Sequence, residues 1–221
     1  MAEDSAAALQ RLDEITRRLR RECPWDREQD ERSIVPHTVE EAYELADAAL
    51  TGDDPKLLDE LGDVLFQVVF LSLLLEERGA GDLGAVAEHC RQKLIRRHPH
   101  VFGEVQADDA ATVLRNWDTI KSETEGGGAF GDLPETLPST LYAKKVQRRA
   151  GRLDAAPPPE PEAAVARLRS AEGRDDVFEA AGEMLFAAVA AATEAGADPE
   201  LALRAAADEY ASKVKEGEAR P

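Results

Sequence analysis

The stretch that decides the fold runs from Thr38 to Leu75. It opens Thr38-Val39-Glu40-Glu41-Ala42-Tyr43-Glu44-Leu45-Ala46-Asp47 and resumes at Asp59-Glu60-Leu61-Gly62-Asp63-Val64-Leu65-Phe66-Gln67-Val68-Val69-Phe70-Leu71. Between the halves stands Thr51-Gly52-Asp53-Asp54-Pro55, a turn signal. At ~100° per residue, Glu40 and Glu44 lie ~40° apart on a helix, and Glu41 and Glu44 ~60° apart. Asp47 falls on the same stripe, and Asp59, Glu60 and Asp63 repeat the arrangement after the turn. So short a turn makes the two helices antiparallel neighbours. Their acidic stripes then face each other at one end of an apolar pair.

Such a cluster needs a cation, because neighbouring carboxylates repel and desolvation adds to the cost. With no Cys or His among them, these hard oxygen donors suit Mg²⁺, with Mn²⁺ as a substitute. A solvated acidic face is the plainer reading of any one cluster in so acidic a chain. Two clusters across one turn, the second opening the most apolar helix, favour the metal.

The chain has 221 residues and a formal net charge of -18. That balance argues against a nucleic-acid backbone or an anionic membrane as main partner. The apolar run from Val64 to Leu75 contains Gln67 and Ser72 and is too short to span a bilayer. The opening residues are acidic, with no apolar signal segment after them. Cys23 and Cys90 make no disulfide framework. A reduced, cytoplasmic setting is the expectation.

The remaining spacing is helical throughout. Ser5 is the expected cap of a first helix carrying Leu9, Leu12, Ile15 and Leu19, which ends at Cys23-Pro24-Trp25-Asp26. Thr38 is the expected cap of the second, with Glu41 as its capping-box partner. A third helix is predicted from about Pro55 to Glu77, a fourth from about Asp82 to Arg97, and a fifth from about Asp109 to Glu125. Trp117 and Lys121 point the same way from the fifth, as a base-stacking ring and a phosphate cation would. Lys93 and Arg97 are set to hold outer phosphates from the end of the fourth. Lys56, on the face of Glu60 and Asp63, balances the acids or touches phosphate. His98 and His100 flank Pro99 and are expected to cap or pack; Trp25 is core or pocket wall. After Gly126-Gly127-Gly128, residues 127–140 read as a linker. A basic helix is predicted over Tyr142 to Arg152, a break at Pro157 to Pro161, and helices at about Asp175 to Glu194 and Pro199 to Lys215.

The second half echoes the first. Gly182-Glu183-Met184-Leu185-Phe186 repeats Gly62-Asp63-Val64-Leu65-Phe66 at an offset of 120 positions. Val189 falls on Val69 and Lys213 on Lys93, but Ala180 stands where Glu60 is. The Glu-Glu-x-x-Glu stripe has no counterpart. The packing is kept and the metal cluster is lost.

Five motifs in order now give the chain a likeness. Cys23-Pro24-Trp25-Asp26, Glu40-Glu41-x-x-Glu44, Glu60-Leu61-Gly62-Asp63-Val64-Leu65-Phe66-Gln67, Lys93-Leu94-x-Arg96-Arg97-His98-Pro99-His100-Val101-Phe102 and Asn116-Trp117-Asp118-x-Ile120-Lys121 resemble the MazG family of nucleoside triphosphate pyrophosphohydrolases. The resemblance implies an all-α, usually dimeric enzyme: a MazG-like helical bundle in residues 1–126, a linker at 127–140 and a degenerate second helical unit at 141–221. It implies Mg²⁺-dependent cleavage of a nucleoside triphosphate, canonical or aberrant, to the monophosphate and pyrophosphate. Nucleotide-pool house-cleaning is the expected role. By motif match Glu41, Glu44, Glu60 and Asp63 are the implied metal ligands. Glu40 and Asp59 are outer-shell acids or orient the water, with Asp59 also on the substrate side. Lys93, Arg97, Trp117 and Lys121 are the implied nucleotide contacts. Three other readings compete. A di-iron bundle would need His three residues after an acid, and none follows these clusters. A non-catalytic helical interaction module leaves the clustering unexplained. A dUTP-specific relative shares the bundle and the metal logic.

Overall fold

The computed structural model describes residues 4–103, 105, 109, 112, 113, 116, 120, 130, 133, 134, 136–151, 153 and 155–218. Every regular element among them is helical, so the protein is all-α. The chain divides into two units, Met1–Leu114 and Arg115–Pro221.

In the first unit, α1 (Ser5–Glu22) is capped by Asp4, whose carboxylate accepts from the Ala6 amide. The cap is one residue earlier than Ser5, which becomes the first helical residue. α2 (Pro24–Glu28) is a short helix begun by Pro24, whose missing N–H would have had no partner there. α3 (Glu31–Thr51) starts well before the predicted Thr38. Asp30 and Ser33 form a reciprocal capping box that fixes the start. Pro36 lies inside the helix. Thr38 caps nothing: its hydroxyl donates back to the Ile34 carbonyl. Gly52, at φ +70°, reverses the chain in the left-handed region that glycine tolerates. α4 (Asp54–Glu77) follows, with the Asp53 carboxylate accepting from the Lys56 amide.

α3 and α4 form an antiparallel hairpin, and α1 packs along α4. The core lies toward the C-terminal half of α4, where Ile34 meets Phe70 and Leu74, flanked by Phe66 and Leu71. Two ion pairs tie α1 to the end of α4. Arg17 is bidentate on Glu76 at 2.9 and 2.5 Å, and Arg20 on Glu77 at 2.8 Å twice. Arg20 also donates to the Asp26 and Gln29 carbonyls, at 2.5 and 3.0 Å, and so fixes α2 as well. α5 (Leu83–Arg97), capped by Asp82, packs on α4 and leads into α6 (Pro99–Phe102). The predicted fifth helix falls mostly outside the described residues; Thr112, Val113, Asn116 and Ile120 are helical.

In the second unit, α7 (Ser139–Ala150), α8 (Pro161–Ser170), α9 (Arg174–Glu194) and α10 (Pro199–Glu218) pack around α9. The sequence reading missed α8, taking Pro161 as part of a break. Proline at the first helical position starts a helix instead. Gln147 donates to the Phe186 carbonyl at 2.6 Å, and Lys144 pairs with Asp198 at 2.6 Å. The core here is small: Ala164, Ala180, Ala187 and Val189. The 120-position echo holds in three dimensions, since Glu60, Gln67 and Val69 are buried on α4 and Ala180, Ala187 and Val189 on α9.

Candidate active site

Helical periodicity places Glu41 on α3 and Glu60 and Asp63 on α4, and the hairpin brings them together. One carboxylate oxygen from each lies within 4.8 Å of the others. Glu60 is buried, Glu41 half-buried and Asp63 exposed, so the cluster grades from the hairpin seam outward. The second oxygen of Glu60, Oε2, is buried with no hydrogen-bond partner.

The electrostatics match this crowding. Burial pushes the Glu41 carboxyl up first, followed by the fields of Asp63, Glu44, Glu60 and Glu40. Burial also pushes Glu60 up, reinforced by Glu44, Asp63 and Asp59 and opposed by Lys56. Around these two carboxyls the neighbouring acids outweigh Lys56. Three converging carboxylates, one of them with a buried unpartnered oxygen, fit a hard divalent cation of the Mg²⁺ class.

The other predicted residues take graded positions. Glu44 is exposed and near enough to raise both Glu41 and Glu60, though it is outside the converging trio. Glu40 stands apart, its carboxylate 3.7 Å from His37 Nδ1. Lys56, Asp59 and Asp63 line an open depression of about 510 Å³ at the start of α4, with Pro55, Leu58 and Gly62. Lys93 is half-buried and Arg97 buried in the last two turns of α5. Trp117 and Lys121 lie outside the described residues. His98 caps α5, its Nδ1–H donating to the Leu94 carbonyl at 2.6 Å, and its ring lies 5.6 Å from that of His100. Trp25 is 51 % exposed, with its ring 5.9 Å from His37 in an edge-on contact. It is not core.

Two residues escaped the sequence reading. Arg20 was given no role by the sequence. Gln67 looked like an interruption in an apolar run, yet it is 6 % exposed with its Oε1 unpartnered. Its spacing from Asp63 and Glu60, four and seven residues, was the available signal.

Comparison with known proteins places the chain among relatives. Residues 29–102 match the MazG nucleotide pyrophosphohydrolase domain. The chain is 34% identical to the nucleoside triphosphate pyrophosphohydrolase of Escherichia coli (strain K12), over 95% of this chain and 87% of that protein. It is likewise 34% identical to the nucleoside triphosphate pyrophosphohydrolase/pyrophosphatase MazG of Thermotoga maritima, over 89% of this chain and 79% of that one. The crystal structure of a MazG-related protein from Thermotoga maritima aligns at 25% identity and TM-score 0.45, over 51% of this chain and 98% of that one. With the matched domain spanning both halves of the acidic hairpin, and relatives alike over most of their length, this chain belongs to the MazG family of nucleoside triphosphate pyrophosphohydrolases.

Proposed function

We propose that this chain hydrolyses nucleoside triphosphates between the α and β phosphates, giving the monophosphate and pyrophosphate, with Mg²⁺ held in the α3–α4 seam. The observation that carries the reading is the convergence of Glu41, Glu60 and Asp63, with the Oε2 of Glu60 buried and unpartnered. Glu41, Glu60 and Asp63 hold the cation, and Glu44 completes the set from the next turn of α3. Mg²⁺ bound there neutralises phosphate charge and makes water a better nucleophile.

The protein's own groups do the rest. Asp59 and Glu40, on the flanks, are acceptors able to orient a water and take its proton. Lys56 lines the depression beside Asp63 and stands ready for a phosphate oxygen. Lys93 and Arg97, with Lys121, bind the outer phosphates, and Trp117 stacks on the base. Cleaving the anhydride needs one water, whose oxygen joins phosphorus as the bridging oxygen leaves with pyrophosphate. We assign the activity to nucleotide-pool house-cleaning in the cytoplasm by a homodimer. Among the described residues no helix is long and apolar enough to cross a membrane.

The test is full-length Glu60→Gln, Asp63→Asn, with products identified. Wild type should release pyrophosphate only with Mg²⁺, and the double variant should be inactive while keeping its helical spectrum. Orthophosphate as the product, or substantial activity in the double variant, would overturn the proposal.

A further inference from the structure

The first unit buries two polar side chains on α4 whose oxygens meet no partner: Glu60 and Gln67. Glu60 belongs to the carboxylate cluster. Gln67 has no role so far. An unsatisfied buried amide oxygen is destabilising and is rare in native proteins. The other buried polar residue of α4, Ser72, is satisfied locally, donating to the Val68 carbonyl at 2.7 Å. Gln67 is thus the exception to explain.

Its position gives the first clue. Gln67 follows Asp63 by four residues and Glu60 by seven. On a helix these offsets are rotations of only ~40° and ~20°, so the three share one stripe. The rise of ~1.5 Å per residue sets Gln67 one turn past Asp63, on the side toward the Ile34–Phe70 core.

The second clue is the degenerate repeat. At the 120-position offset, Gly62, Leu65, Phe66 and Val69 recur unchanged as Gly182, Leu185, Phe186 and Val189. Glu60 and Gln67 are replaced by Ala180 and Ala187, both fully buried. Had Gln67 been there for packing, it would be expected to persist with Phe66 and Val69. It disappeared together with the buried metal acid.

We propose that Gln67 is a positioning residue for the cation site, its amide oxygen accepting a hydrogen bond from water in the cation's shell. The inference rests on the metal reading above. A neutral amide suits the task. It accepts a water hydrogen without adding a further charge to a seam where the carboxylates of Glu41, Glu60 and Asp63 already crowd together. Outer partners of this kind orient a metal's ligands and are worth ~10–100-fold in affinity.

The experiment measures Mn²⁺ binding to the full-length protein, by titration calorimetry and by the loss of the free-ion electron paramagnetic resonance signal. Metal-free melting is followed in parallel. The variants are Gln67→Met and Gln67→Leu, which keep volume without an acceptor, and Gln67→Glu, which keeps an acceptor oxygen. The expected result is ~10–100-fold weaker Mn²⁺ binding in the Met and Leu variants. Their metal-free melting temperature should be unchanged or higher, and the Glu variant should bind at least as tightly as wild type. Unchanged Mn²⁺ affinity in a folded Met or Leu variant would overturn the role. So would a fall in metal-free stability with affinity intact, which is the signature of packing. If wild type itself binds no Mn²⁺, the metal reading fails with it, and that outcome is distinct from a variant that binds as wild type does.

Discussion

Replacing Arg20 by alanine should unfasten three elements at once. The guanidinium is bidentate on Glu77 at 2.8 Å, donates to the Asp26 and Gln29 carbonyls at 2.5 and 3.0 Å, and lies 5.9 Å from the Phe70 ring centroid. Hydrogen bonds from a charged donor are worth ~1.5 kcal/mol each at the low end, and there are two to backbone. The ion pair adds at most ~1 kcal/mol, since Glu77 is 41% exposed. The cation over Phe70 adds ~0.5 kcal/mol. Water recovers part of the total at the freed carbonyls, leaving a loss of ~3 kcal/mol. For a unit of this size that is a fall of ~10–15 °C in melting temperature.

Arg20→Lys keeps the charge but not the planar fork, and should recover less than half of the loss. The pH dependence has a definite sign. Hydrogen bonding to Arg20 lowers the Glu77 carboxyl below its ordinary value of 4.5. Its contribution is therefore present above the unfolded value and lost as pH falls through the lowered folded one. The gap between wild type and Arg20→Ala should narrow on acidification through that range. Calorimetric or circular-dichroism melting at several pH values is the assay. A loss under ~1 kcal/mol, or full rescue by lysine, would refute the clamp.

Three further outcomes are expected. Glu41→Gln and Glu44→Gln, taken singly, should each cut turnover by ~10²-fold or more, with metal-free stability level or raised by relief of like-charge repulsion; near-normal hydrolysis in saturating Mg²⁺ would remove that residue from the site. The Glu41 and Glu60 carboxyls are raised from 4.5, so their contribution to metal-free stability is full below that value and is lost as pH rises through the raised folded ones; the rise in melting temperature caused by Mg²⁺ should therefore grow from pH ~4 to 7, and a shift independent of pH would contradict it. Lys93→Ala should weaken nucleoside triphosphate binding more than monophosphate binding in a competition assay, and equal losses would remove Lys93 from the outer phosphates.

Much of the fold was legible because the long helices carry their own punctuation. Asp53-Asp54-Pro55 and Gly79-Ala80-Gly81 bracket α4, and the predicted Pro55–Glu77 differs from the observed start by one residue. Two starts are misread: Thr38 reads as the cap of a helix already nucleated by the Asp30–Ser33 box, and Pro161 as part of a break although it opens α8. The acidic convergence was visible from periodicity and a short turn. The burial of Gln67 and the reach of Arg20 were not, because both depend on how helices distant in sequence pack. A glutamine in an apolar run has the same period whether its amide is satisfied or orphaned.

The division of labour along α4 explains why the two repeats could diverge. Its C-terminal half supplies Val69, Phe70, Leu73 and Leu74 to the core and stands on α1 through Glu76 and Glu77. Its N-terminal half holds Glu60 and Asp63 against Glu41, an arrangement of like charges that by itself opposes folding. The hairpin closes because the first half of the bargain is strong enough to force the second. In α9 the positions of Glu60 and Gln67 hold Ala180 and Ala187, so no buried acid stands there, while Asp59 and Asp63 keep exposed acidic counterparts in Glu179 and Glu183. An alanine in place of a buried glutamate removes an electrostatic cost, while losing Val189 or Phe186 would open the packing of α9. Folding alone therefore favours the apolar echo and the replacement of a buried acid, as at Ala180, and tolerates acids that stay exposed.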